Sequence, residues 1–147
     1  MSQSCTINPA DVIRVIDFDS SNIERRLQKK LDLNEEVVKN ICLEYKKFLY
    51  LAKMNPDIPL VPGQLVDEVW HDHILHTRQY SEDCQRILGR YMHHSPSESS
   101  EGEDINPTFE LYESTFGTKP PGEYWSCGRW CNTCCGNGGD CSNCKNI

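Results

Sequence analysis

Six of the eighteen residues from Cys127 to Cys144 are cysteine: Cys127, Cys131, Cys134, Cys135, Cys141 and Cys144. They include two C-x-x-C pairs, Cys131/Cys134 and Cys141/Cys144, on either side of a Gly- and Asn-rich stretch. Such a segment cannot bury an apolar core of its own, so the packed part of the chain must come from the residues before it. Paired thiolates close a small chelate ring, and glycines let the backbone wrap an ion, so soft-metal binding is the first reading of the tail. A disulfide or redox role is the second, and a tail without a site the third. Six residues separate the two pairs, fewer than the roughly 12 or more of common zinc modules. Six thiols also exceed the four that one tetrahedral zinc needs. That excess leans toward a flexible thiolate cluster or a Cu(I)-type site, with Zn²⁺ or Cu(I) the candidate metals for the thiols.

With 147 residues, the chain is long enough for one domain with a real core. Its net charge of −7 argues against broad phosphate-backbone binding, so no nucleic-acid partner is expected. No apolar run approaches the length of a membrane span. The N-terminus lacks the basic and apolar regions of a secretory signal. A cytoplasmic location is therefore expected, with specialised secretion left open. In a reducing compartment, clustered cysteines serve metals or redox chemistry more often than structural disulfides.

Helix signals dominate, and no strand pattern is convincing. Asn8, Pro9 and Asp11 supply an N-cap, a first-turn proline and an acid facing the helix dipole. Val12, Ile13, Val15, Ile16 and Phe18 follow as an apolar side. Ser21 and Glu24 have capping-box spacing and precede a basic stretch, Arg25 to Lys30, expected to be a solvated face. Val37, Ile41, Tyr45, Phe48, Leu49 and Ala52 recur at helical spacing over about 34–54. A proline-rich stretch, 55–62, ends that helix. Pro62 is expected to open a long fourth helix reaching about Tyr91. Residues 95–104 are polar and acidic, and are expected to form a mobile loop. A last helix is expected over 108–116, closed by Gly117. The expected fold is thus all-α: a compact helical bundle over 1–117, followed by a Pro/Gly turn and an irregular cysteine-rich tail over 118–147.

The fourth helix carries the chemistry. If it is continuous, His73, His76, Tyr80 and Cys84 lie at i, i+3 or i, i+4 spacing on one stripe, shared with Leu65, Val69, Ile87 and Tyr91. Two imidazoles one turn apart can share an ion, with Cys84 or a residue of another helix completing the shell. Asp72 or Asp83 could orient the His76 ring. His71 points roughly opposite His73, since two residues rotate a helix by about 200°. Its helical neighbours are Asp67 and Glu68, and Asp67–His71 reads as a structural pair. Trp70 is expected to be a packing anchor with its N–H satisfied. His93 and His94 follow downstream.

The set Val66-Asp67, Trp70-His71, His73, Tyr80, Asp83-Cys84, Gly89, His93-His94 and Pro96 resembles the signature of the glycine-rich domain-containing protein-like family. The resemblance covers roughly residues 35–96 and is densest over 66–96. It implies that Asp67, Trp70, His71, His73, Tyr80, Cys84 and His93 or His94 belong to the characteristic set, and that His76 does not. The larger plant members carry long glycine-rich segments and have been linked to stress responses and RNA. This chain has no such segment, and RNA binding is not carried over.

The resulting expectation is a small metal-binding protein. Its candidate ligands are His71, His73, His76, Cys84, His93 and His94 in the bundle, and the six cysteines Cys127, Cys131, Cys134, Cys135, Cys141 and Cys144 in the tail. Zinc or copper is the expected metal. The alternative is a non-catalytic interaction scaffold with a redox-sensitive cysteine tail and a protein partner. A Cys/His or metal-dependent enzyme is the third reading. It has the least behind it, because no zinc-protease helix, nucleophile elbow or phosphate loop is present.

Overall fold

Two asparagines open two of the helices. In a computed structural model describing residues 6–94 and 105–125, Asn8 Oδ1 accepts from Asp11 N at 3.0 Å and starts α1, Pro9–Val15. Asn34 Oδ1 accepts from Val37 N at 2.9 Å and starts α3, Glu35–Met54. Each side-chain oxygen satisfies an N–H that the helix itself cannot. The helix between them, α2, runs Ser21–Leu31. Its cap lies one residue earlier than the spacing suggests: Ser20 precedes the helix, and its hydroxyl donates to Glu24 Oε2 at 2.9 Å. Asp32, with φ 52°, closes α2 in the left-handed region.

α3 is the axis of the bundle and packs against α1, α2, α4 and α6. Its residues Val38, Ile41, Tyr45, Phe48 and Leu51 are buried, and Val12, Ile16, Phe18, Ile23 and Leu27 close over it from α1, α2 and the segment between them. Ile13 and Val15 point outward, so α1 buries only one stripe of the five apolar residues of its region. The chain then forms α4, Gln64–Leu75, and α5, Thr77–Asp83, followed by a π-helical turn over Cys84–Leu88. Two short helices complete it, α6, Asn106–Phe116, and α7, Gly122–Trp125. The fold of the described residues is all-α, as expected. No helix among them is long and apolar enough to cross a membrane.

The fourth helix departs from expectation. It is not continuous to Tyr91: His76, at φ −83° and ψ 70°, ends α4 and precedes α5. No glycine or proline marks that break. The basic stretch is also more engaged than a solvated face, since Arg26 Nε pairs with buried Asp72 at 2.9 Å and Lys30 with Glu68 at 2.8 Å. Packing runs on past Gly117. Trp125 is fully buried against Phe48, Phe109 and Tyr112, and its indole N–H donates to Glu44 at 2.8 Å. Gly63 lets this happen, because a Cβ there would sit 2.6 Å from the Trp125 Cα. The acidic stretch 95–104 and all six tail cysteines lie outside the described residues.

Candidate metal centre

Asp67 and His71 stand one turn apart on α4 and therefore share a face. The chain brings a third donor to them from well downstream. After the π-helical turn, Gly89 at φ 74° turns the backbone, a conformation that glycine adopts without strain. The segment 87–94 is then tied down at several points. Lys53 Nζ donates to Ile87 O, and Arg90 Nη2 donates to Ala52 O at 3.3 Å. The Tyr80 hydroxyl donates to Met92 O and accepts from Trp70 Nε1 at 2.9 Å. The Trp70 ring stacks on His94 with centroids 4.0 Å apart. Trp70 is thus a buried anchor with a satisfied N–H, as its sequence context suggested, and it also serves as the platform for His94.

At the end of this return, His94 Nε2 lies 2.7 Å from Asp67 Oδ1. His71 Nε2 lies 3.2 Å from Asp67 Oδ2 and 2.9 Å from His94 Nε2. The ligand atoms of the three residues all fall within 4.8 Å of one another. Donors about 2.1 Å from one cation would be about 3 Å apart at right angles and about 3.4 Å apart in a tetrahedron, so three ligand atoms converging within 4.8 Å are close to the spacing that an ion needs. Asp67 and His94 are partly buried, while the His71 side chain is 47% exposed, so the group opens to solvent on the His71 side.

A proton count shows what the arrangement lacks. An ionised carboxylate only accepts, and each Nε2 offers at most one proton. Two protons cannot satisfy three mutual contacts at hydrogen-bond distance. At least one contact therefore sets unshared pairs, or two N–H groups, against each other. A divalent cation relieves all three at once. Two imidazoles and a carboxylate with open positions are a donor set used by zinc and by non-haem iron(II). Asp67 also sits in the first turn of α4, where the helix dipole favours its negative charge.

His73 is held on different terms. It is 1% exposed, and Phe18 stacks on its ring at 4.6 Å. Nδ1 lies 2.7 Å from the Tyr45 hydroxyl and Nε2 lies 2.9 Å from Asp83 Oδ2. The other Asp83 oxygen accepts from Arg86 at 3.0 Å. Burial pushes the His73 pKa down, against the opposing pull of its bond to Asp83. Burial also pushes the Tyr45 hydroxyl well up. The consistent assignment is a neutral ring, with the Tyr45 O–H donating to Nδ1 and the Nε2–H donating to Asp83. Both ring nitrogens of His73 and both carboxylate oxygens of Asp83 have a partner.

The expected stripe of His73, His76, Tyr80 and Cys84 is therefore only partly assembled. His73, Tyr80 and Cys84 line one small void, about 10 Å³ in volume. The break at His76 turns that ring away, and its Nδ1 bonds Asp72 O at 2.9 Å. Among the described residues, His73, His76 and Cys84 belong to no group of three convergent ligand atoms. Asp83 orients His73 rather than His76. His93 is exposed, with its ring edge-on to Tyr91. Asp67 and His71 form the pair that their spacing suggested, but joining them to His94 needs the return of the chain. The signals on hand were an i, i+4 Asp–His pair and a later histidine beyond a glycine.

A family model described as UCP032817-like matches residues 8–107. The chain is 36% identical over 94 residues to glycine-rich domain-containing protein 1 of Arabidopsis thaliana, which is 57% of this chain and 11% of that protein. It is 30% identical over 105 residues to glycine-rich domain-containing protein 2 of the same plant, which is 65% of this chain and 13% of that protein. The chain thus spans only about an eighth of the length of these relatives. No solved structure matches.

Proposed function

The chain belongs to the UCP032817-like family, and from that premise we propose that it is a small metal-binding protein whose bundle site is Asp67, His71 and His94. The observation that carries this reading is the convergence of Asp67, His71 and His94, whose ligand atoms lie within 4.8 Å of one another and whose three close contacts, two of them to different Asp67 oxygens, outnumber the protons that could fill them. Zinc suits the donor set, with a fourth position left for water; iron(II) suits it with more positions open. The Trp70 stack and the Trp70–Tyr80–Met92 bonds orient His94 before any ion arrives, which lowers the cost of binding. Uptake needs neutral imidazoles and an ionised carboxylate, so it weakens in acid. The tail cysteines are a second and softer site on this reading, supported by their spacing alone. The test is elemental analysis of untagged full-length protein with the six tail cysteines replaced by serine. Close to one equivalent of zinc or iron is expected, and less than about 0.1 equivalent after reconstitution would count against the site.

A second reading, a non-catalytic interaction scaffold, draws support from the saturated Tyr45–His73–Asp83–Arg86 chain, which uses a histidine purely as structure. Thermal melts separate the two. A chelator lowers the melting temperature if the triad holds an ion, and leaves it unmoved if the bundle is only a scaffold.

A further inference from the structure

His94 also lines a cleft of about 290 Å³ between the end of α3, the proline-rich segment 55–62 and the returning segment 90–94. Its apolar wall comes from Phe48, Leu60, Pro62 and Trp70. Its polar side comes from Arg90, His93 and His94. The chain carries 22 Asp and Glu residues and a net charge of −7, yet among the described residues no carboxylate lines this cleft. Among the described residues, Arg90 is the one lining residue with a fixed charge, and the carboxylate bonded to His94, Asp67, is not on the lining. Arg90 is half-buried and spends one N–H on Ala52 O at 3.3 Å, leaving the rest of the guanidinium uncommitted among the described residues.

We propose that this cleft binds a small organic carboxylate, with its apolar body against Phe48 and Trp70 and its anionic head toward Arg90 and His93. A guanidinium prefers a planar anion that can accept two parallel N–H bonds, which favours a carboxylate head. The aromatic and proline walls ask for an apolar body of matching shape. The volume is near the roughly 300 Å³ lower end of ligand pockets, which limits the ligand to a small molecule. The proposal rests on the metal reading only through His94, which belongs to both the cleft and the triad. A cation at the triad adds positive charge beside the cleft and strengthens binding of an anion there.

The test uses 4-phenylbutyrate, its neutral amide and inorganic phosphate as probes of the full-length protein with the tail cysteines replaced by serine. The readout is the Trp70 indole N–H resonance, assigned with Trp70→Phe, and cobalt(II) uptake is followed separately on the same samples. The acid should shift the resonance saturably and bind at least about ten-fold tighter than the amide, the discrimination expected of a charge-assisted pair. Inorganic phosphate, lacking an apolar body, should leave the resonance in place. Arg90→Gln should remove the acid's advantage over the amide, while Arg90→Lys should keep part of it. Equal binding of acid and amide, a saturable shift with phosphate, or an advantage that survives Arg90→Gln would overturn the proposal. Failure of cobalt uptake with the acid preference intact would remove the metal reading and leave the cleft standing. Cobalt uptake without the acid preference would do the reverse.

Discussion

His71 and His73 are two residues apart on one helix, and they sit in opposite circumstances. His73 faces the core, stacked on Phe18, with a partner on each ring nitrogen. His71 faces solvent and meets Asp67 and His94 in a triangle that hydrogen bonds alone cannot fill. Both look like functional histidines in a list of residues. The difference teaches that histidine density does not make a metal site. On the proposed reading, what matters is donors that converge and are left short of protons. The buried cluster has a partner on each ring nitrogen, and the open group has three ligand atoms within 4.8 Å of one another.

The sharpest way to break this contrast is to delete one residue from each side. Asp67→Ala removes a donor and should weaken cobalt or zinc binding by well over the roughly 10–100-fold that follows loss of a merely orienting group. Its unfolding free energy without metal should fall by only about 1 kcal/mol, the loss expected when the partly buried His94 ring gives up its carboxylate partner. His73→Ala should do the opposite. It leaves a cavity under Phe18 and strands Tyr45 and Asp83, at a cost of about 2–4 kcal/mol in denaturant unfolding. Metal affinity of the folded protein should stay within about two-fold, since no donor is touched. Equal metal loss in both variants would erase the distinction.

Trp70 lies between the two regions, so it sharpens the comparison instead of breaking it. Trp70→Phe keeps an aromatic platform for His94 but leaves the Tyr80 hydroxyl without its donor. A destabilisation of about 1 kcal/mol is expected, with metal affinity reduced by up to about ten-fold through the looser 92–94 segment. Loss of stability without any change in affinity would show that the return segment is not what fixes His94. The smallest effect is expected at Cys42. Burial pushes its thiol up to about 12. At pH 8 it stays protonated and shielded, so iodoacetamide should modify it only after unfolding, as read by peptide mass mapping. Fast labelling of Cys42 in the native protein would mean that the α3 core opens more readily than its packing implies.

The elements with local causes were legible in the sequence. Asn8 with Pro9 and Asn34 with the periodic run to Ala52 carry their own caps and apolar stripes, and α1 and α3 follow them. The pair Asp67–His71 was legible for the same reason, being one turn of one helix. What could not be read depends on distant contacts. His76 ends α4 with no glycine or proline to announce it, so the expected His73–His76 pairing dissolves. His94 reaches Asp67 across 27 residues, through a π-helical turn, a left-handed Gly89 and bonds to α3 that no periodicity encodes. Trp125 falls in the segment 118–147 expected to be a Pro/Gly turn and tail, yet Gly63 makes room for it in the core.

The most direct measurement is a cobalt(II) titration of the full chain with Cys127, Cys131, Cys134, Cys135, Cys141 and Cys144 replaced by serine. One equivalent should bind saturably, with ligand-field absorption from nitrogen and oxygen donors and no thiolate charge-transfer band, and Asp67→Ala should abolish the signal. Binding that persists in Asp67→Ala and disappears in a folded His73→Ala variant would put the ion in the buried cluster and contradict the account.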